Sequence, residues 1–413
     1  MRALLGSDLE CEALKDSLEK FSKKAPRALR FHRHKGLNLK DIFQSQSFQV
    51  LGQVPWEESG YFADLDHVES LATHPAIGAG LAFIQEPGAM EAVNFLDPQP
   101  GDFVLDLSAA PGAKATQIGE RLAGKGWLFA NDPVKARAER LELLLSRHGI
   151  FNSSVYSLDG GNLAERFPKA FDRVLLDAPC SGESLFAKRN DSRVDIRNVD
   201  VQGCARRQFK ILEFAGELLK EGGSLVYSTC SYSREENEGV VEGFLQNNPD
   251  FELIKSQRRF PHRDQVAGGY TALLKRQGEA QVGTKFSKKS LENTAGLIRH
   301  GSYRWNGERD LYLEAMNVFS NSKKEFEQLP GSPFREAIES WSDRVFVGDV
   351  ELNDKMARDF LKGLALVDSR FVSVEKGFYR VTWRGYPMGF VKVVGERANN
   401  ALPKILRGIE SSL

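Results

Sequence analysis

The chain has 413 residues, 56 Lys+Arg against 56 Asp+Glu and 41% hydrophobic residues, so its formal net charge is zero. Such a composition belongs to an ordinary globular protein of two or three domains and excludes a disordered, fibrous or globally polybasic chain. No apolar run reaches bilayer-spanning length, the opening Met1-Arg-Ala-Leu-Leu-Gly-Ser-Asp breaks too early for a secretory signal, and four cysteines without Cys-x-x-Cys spacing argue against a disulfide framework or structural zinc. A cytoplasmic monomer with no metal and no membrane contact is the expectation.

In chain order, residues 1–75 read as an N-terminal α+β region. A helix is predicted over 9–21, then an extended basic segment over 27–31 after Pro26. Lys23, Lys24, Arg27, Arg30, Arg33, Lys35 and two histidines crowd the stretch 20–40. The apolar stretches 78–83 and 90–96 are predicted helical. From Phe103 strands and helices alternate. Strands are predicted over 103–107, 127–131, 153–157, 173–176 and 224–228. Helices are predicted over 114–122, over a segment placing Val134, Ala138, Leu141, Leu145 and His148 on one face, over 202–219 up to a stop at Glu221-Gly-Gly223, and over 235–245. That alternation implies an α/β fold with a mostly parallel sheet covered on both faces.

Runs 251–254 and 270–274 should close the sheet as an antiparallel pair, and 277–299 is polar enough for a linker. Runs 345–347, 371–374, 378–383 and 389–394, with Gly and Pro between them, predict a small β-rich domain. The expected division is therefore 1–75, a central 76–278, a connecting 279–340, and a C-terminal 341–413. Arg380, Arg384, Lys392, Arg397, Lys404 and Arg407 make the C-terminal end basic. Two basic ends around a catalytic middle suit a phosphate backbone, although each could equally be a solvated face.

The loop Ser108-Ala-Ala-Pro-Gly-Ala-Lys114 follows the first core strand. Ligands of open α/β sheets sit beyond the strands' carboxyl ends, and small residues let a backbone approach them. Asp132, Asp159 and Asp177 end the next three apolar runs. Each could be an N-cap, but three in register with a glycine turn favour a nucleoside-bearing cofactor. Neither a phosphate-loop motif nor a clear Gly-x-Gly-x-x-Gly is present.

Cys180, in Asp177-Ala-Pro-Cys-Ser-Gly182, and Cys230, in Ser228-Thr-Cys230, each follow an apolar strand-like run. Such a cysteine is ordinarily a small buried hydrophobe, the reading kept for Cys11 and Cys204. Here the surroundings resemble the RNA cytosine-5 methyltransferases of the Sun/Fmu type, which place one cysteine in a Pro-Cys motif and one in a Thr-Cys motif. Pro26-Arg-Ala-Leu-Arg30 and Gln85-Glu86-Pro87 resemble further motifs of that family. Val54-Pro-Trp56, His74-Pro75, Cys180-Ser-Gly-Glu183, Cys204-Ala-Arg-Arg-Gln208, Glu235-Glu-Asn237 and Gly385-Tyr-Pro-Met-Gly-Phe390 are similar to its RsmF-type 16S rRNA branch. The chain departs from the pattern at Ser108, Ala113, Ala115, Ser184 and Val266-Ala-Gly-Gly-Tyr270.

The resemblance implies a Rossmann-like S-adenosyl-L-methionine-dependent methyltransferase sheet followed by a PUA-like RNA-binding domain. It implies that Ser108, Ala109, Ala110, Pro111, Gly112, Ala113, Lys114, Asp132, Asp159 and Asp177 hold the cofactor. It assigns Cys230 as nucleophile, Cys180 to product release, and Asp177 also to the cytosine ring. The implied substrate is RNA, 16S rRNA or the small ribosomal subunit first. A transfer-RNA substrate, and an inactive RNA-binding assembly factor, stay open at this point. A helix starting near 234–235 would aim its N-terminus at Cys230.

Overall fold

The computed structural model describes residues 8–23, 27–33, 49–64, 74–150, 152–182, 184, 200–279, 297–300 and 348–400. The N-terminal part opens with α1 (Asp8–Lys23), then β1 (Arg27–Phe31), β2 (Gln49–Gln53) and β3 (Gly60–Asp64). After α2 (Pro75–Gly78), β4 (Ala82–Gln85) completes a four-stranded sheet in the order β2-β3-β1-β4. Its pairs are antiparallel, with Ala28 opposite both Phe62 and Gln85. The predicted helix over 78–83 is therefore corrected. Gly80 turns the chain at φ +65°, and the open edge of β1 recruits residues 82–85 as a strand.

The central part runs α3 (Glu91–Leu96), β5 (Phe103–Asp106), α4 (Ala113–Leu122), β6 (Trp127–Asn131), α5 (Lys135–Arg147), β7 (Ser153–Tyr156) and α6 (Gly160–Arg166). It continues through β8 (Phe171–Asp177), α7 (Val201–Leu218), β9 (Leu219–Thr229), α8 (Glu238–Asn247), β10 (Phe251–Arg259), α9 (Pro261–Asp264) and β11 (Gly269–Arg276). These strands and β12 (Leu297–His300) form one sheet in the order β10-β11-β9-β8-β5-β6-β7-β12. The strands from β9 to β7 are parallel, and β11 enters antiparallel between β9 and β10. β5, β6 and β7 are buried at every position, because apolar cores cover both faces. The order reverses beside β5, whose neighbours are β6 and β8, so a crevice opens at the ends of β5 and β8.

Several expectations change in detail. Val134 is half exposed, because α5 begins one residue later and Asp132 accepts the Val134 N–H ahead of it. The helix α7 ends at Leu218, ahead of Glu221-Gly-Gly223 as expected, but the strand after it begins earlier than 224. β9 starts at Leu219, and a bulge between the Phe171–Leu219 and Arg173–Ser224 pairs absorbs the glycines. Residues 297–300 are not linker but an edge strand on β7.

A five-stranded sheet, β13-β15-β16-β17-β14, forms from β13 (Gly348–Leu352), β14 (Leu366–Val367), β15 (Gly377–Trp383), β16 (Tyr386–Val394) and β17 (Arg397–Asn400). Asp354–Leu361 forms a helix, α10, between β13 and β14. Residues 371–373 fall in a 3-10 turn capped by Asp368 rather than in a strand, with Val374 as its C-cap, and 345–347 lies outside the described residues. Leu361 packs on Gly78, where any side chain would collide with it, and Trp383 meets the His74 ring edge-on. The cores of the C-terminal and N-terminal sheets thus join around α2.

Candidate active site

Cys180 and Cys230 leave the ends of adjacent strands β8 and β9, and their Sγ atoms lie 3.0 Å apart. Both thiols are partly buried and free. The hydrogen bond to Cys230, then burial, pushes the Cys180 thiol far above its ordinary pKa. Either sulfur of the pair can donate in this contact. The helix expected to point at Cys230 is corrected: α8 begins at Glu238, and a side-chain-bonded turn fills the interval. Cys204 lies apart, partly exposed on α7.

Facing the cysteines, Lys114 Nζ lies 2.6 Å from Asp177 Oδ2, and Ser228 Oγ donates to Asp177 Oδ1 at 2.7 Å. Burial alone would lower the Lys114 pKa; the Asp177 charge and hydrogen bond outweigh it, so Lys114 stays charged. Beneath them Asp106 is fully buried. Its burial first, and the Asp177 charge second, raise its pKa to about 8. Lys114, Asp177, Ser228 and Cys230 line one cleft of about 210 Å³, together with Glu86, Glu91 and Arg259.

The loop 108–113 lies at the tip of β5, pinned by the Ala109 N–H to Asn131 O bond at 2.7 Å. Ser108, Ala109, Ala110, Pro111, Gly112 and Ala113 lead directly into α4. Gly112 sits at φ +118°, and a Cβ there would strike Leu141 and Leu144. Asp132 is buried at the tip of β6, its pKa raised by burial, with Arg137 3.3 Å from Oδ2. Arg137 also donates to Ala110 O at 2.7 Å, tying the β6 end to the loop. Asp159 is exposed and caps α6, accepting from the Gly161 and Asn162 amides. The fold thus brings Asp132 and Asp177 to the loop on either side, while Asp159 also serves as a helix cap.

A small-residue loop at a strand tip with a buried carboxylate beside it fits a nucleoside-bearing ligand. Among the described residues no cluster of His, Cys, Asp and Glu could hold a metal ion, and no helix is long and apolar enough to cross a membrane.

The N-terminal basic segment is partly structural. Arg30 is buried, pairs with Glu120, and donates to Gln85 Oε1 and Thr116 Oγ1, each at 2.8 Å. It fastens β1 to α4, the helix that follows the loop 108–113, and cannot meet a phosphate. Arg33 is partly exposed and pairs with Glu57. Ser228, Asp106, Arg137, Gln208 and Glu236 were given no role by sequence reasoning. Ser228, Gln208 and Glu236 stand in motifs that the sequence singles out, but their bonds to Asp177, Pro179 and Ser181 depend on partners distant in the chain.

The fold and this site define an S-adenosylmethionine-dependent methyltransferase. Residues 93–279 match the family described as 16S rRNA methyltransferase RsmB/F, and residues 347–408 match the methyltransferase RsmF PUA domain. The chain belongs to the RsmB/F methyltransferase family. It is 29% identical to the ribosomal RNA small subunit methyltransferase F of Shewanella piezotolerans over 405 residues, covering 86% of this chain and 85% of that one. The protein of the same name from Klebsiella pneumoniae is 29% identical over 410 residues, covering 86% and 84%. A solved methyltransferase homolog from Pyrococcus horikoshii shares 30% identity at a TM-score of 0.56, covering 64% of this chain and 90% of that one.

Proposed function

We propose that the protein methylates carbon 5 of a cytosine in 16S rRNA of the small ribosomal subunit, through a covalent bond between Cys230 and carbon 6. The observation that carries this reading is that Cys230 lines one cleft with the Lys114–Asp177 pair while its sulfur lies 3.0 Å from that of Cys180. The names of the Shewanella and Klebsiella relatives support the RNA substrate.

Carbon 5 of cytosine is a poor nucleophile until a thiolate adds at carbon 6, which splits one hard step into easier ones. Cys230 Sγ forms the bond to carbon 6, and the electron pair of the 5,6 double bond moves through the ring toward N3, which takes a proton from water. Asp177, held by Lys114 and Ser228, faces N3 and stabilises the N3–H form. S-adenosylmethionine, which 108–114, Asp132 and Asp159 would hold, would supply its sulfonium methyl to the enamine carbon 5, the methyl–sulfur bond breaking with its electron pair kept by the resulting neutral thioether. The carbon 5 proton then passes to water, its electron pair re-forms the double bond, and the Cys230–carbon 6 bond breaks with its pair returning to sulfur. N3 gives up its proton. The Cys180 thiol donates to the departing sulfur and stabilises it as thiolate.

Tritiated methyl transfer to unmodified small-subunit RNA, followed by bisulfite sequencing, tests the reading. One protected cytosine that appears only with S-adenosylmethionine is expected. Transfer to another base, or to transfer RNA alone, contradicts it.

A further inference from the structure

Glu236 is fully buried between the two cysteine loops, and among the described residues no cation pairs with it. Its Oε2 accepts from the Ser181 backbone N–H at 2.9 Å and from Gln208 Nε2 at 2.7 Å. Its Oε1 accepts from Ser231 Oγ at 2.8 Å. Gln208, also buried, donates to Pro179 O at 3.1 Å. One carboxylate–amide pair therefore holds the peptide groups on both sides of Cys180, and the same carboxylate reaches the neighbour of Cys230. The Tyr227 hydroxyl donates to Glu236 O at 2.6 Å, fixing the clamp to β9.

The two loops do not depend on it equally. Around Cys230, Thr229 Oγ1 donates to Asn237 Oδ1 at 2.5 Å, Asn237 Nδ2 to Ser231 O at 3.0 Å, and the Ser184 N–H to Cys230 O at 3.1 Å. These bonds hold the Cys230 backbone without Glu236. The groups flanking Cys180 have the Glu236–Gln208 pair and a 3.2 Å contact between the Ser181 and Ser231 hydroxyls. A helix-end or turn role could be filled by a neutral side chain. A buried carboxylate costs desolvation, so its three accepted bonds point to a demand for geometry.

We propose that Glu236, seated by Gln208, is a positioning residue for the release step: it keeps Cys180 Sγ against Cys230 Sγ. The inference rests on the covalent reading above. Loss of Glu236 should move Cys180 and spare Cys230, so attack and methyl transfer continue while release stalls. Misplacement of about 1 Å can cost on the order of a hundredfold in such a step.

The test uses the full chain, its RNA and S-adenosylmethionine, with covalent protein–RNA adduct read on a denaturing gel beside single-turnover methyl transfer. Glu236→Ala is expected to raise methylated adduct about tenfold or more over the native chain. Its first-turnover transfer should stay within several-fold of native. Gln208→Met, which keeps the carboxylate, should raise adduct less and guards against misfolding of the first variant. Glu236→Ala added to Cys180→Ala should add no further adduct. Native adduct levels in both single variants, or adduct and first-turnover transfer lost together in both, overturn the positioning role alone. No adduct from Cys180→Ala itself overturns the covalent reading, and the inference with it.

Discussion

Lys114 Nζ and Asp177 Oδ2 meet at 2.6 Å across the crevice between β5 and β8, although 63 residues separate them in sequence. The loop 108–113 and Asp177 are thereby one unit, since Lys114 lies in the first turn of α4, directly after that loop.

Breaking that unit should hurt turnover more than assembly. Lys114→Met is expected to lower kcat/KM for RNA methylation by about a hundredfold, because it removes a charged donor from a partly buried carboxylate. Lys114→Arg should recover part of the loss. Steady-state tritium transfer, with RNA affinity measured separately, checks this. A Met variant within threefold of native would show that the pair is only structural.

Gly112→Ala probes the loop itself. The residue sits at φ +118° against Leu141 and Leu144, so strain and collision should cost about 1–3 kcal/mol. Calorimetric titration with S-adenosylmethionine should show affinity falling about tenfold or more, with a lowered Tm. Unchanged affinity would place the cofactor elsewhere.

Asp106 gives a pH dependence of stability. Burial raises its pKa from 3.8 to about 8, so between those values the folded chain keeps a proton that the unfolded chain has released. Stability from this group therefore falls as pH rises from about 4 to about 8, by at most about 1.4 kcal/mol per pH unit. Asp106→Asn should be more stable than native at pH 7.5 and little changed at pH 4. Thermal melts of the cofactor-free protein decide it; parallel melting profiles for the two proteins would count against the buried acid.

His74 works in the opposite sense. Burial first, then the Arg358 charge, lowers its pKa from 6.5 to about 4. The unfolded chain takes up a proton below about 6.5 that the folded chain refuses until about 4. This contribution is thus present above about 6.5 and lost as pH falls through that window. His74→Asn keeps an acceptor for the Ala76 N–H, which Nδ1 now receives at 3.1 Å, and removes the titration. Its Tm should drop less than native Tm between pH 7 and pH 5; an equal drop would remove His74 as the cause.

The central sheet was legible because its strands are apolar throughout and bounded by turn chemistry, as at 127–131. The two thiols and the strand-end acids were legible for the same reason: strand tips mark where a ligand can sit. What escaped depended on pairing. Residues 78–83 read as helix until β1 offers an edge, and the strand predicted from 224 begins at Leu219 because a bulge carries β9 through Gly222-Gly223. Arg30 reads as one more member of a basic stretch until Glu120, 90 residues away, pairs with it in the interior. Glu236 and Gln208 stand in motifs the sequence singles out, but that they meet each other and the Cys180 loop shows only in the fold.

The account turns on which sulfur attacks, and the Cys180→Ala protein incubated with its RNA and S-adenosylmethionine answers that most directly. Mass spectrometry of the digested protein–RNA adduct should find a methylated cytosine bonded to the peptide containing Cys230, and Cys230→Ser should give neither adduct nor turnover. An adduct that forms through Cys180 in the Cys230→Ser protein, with none from Cys180→Ala, would contradict the assignment and reverse the roles of the two thiols.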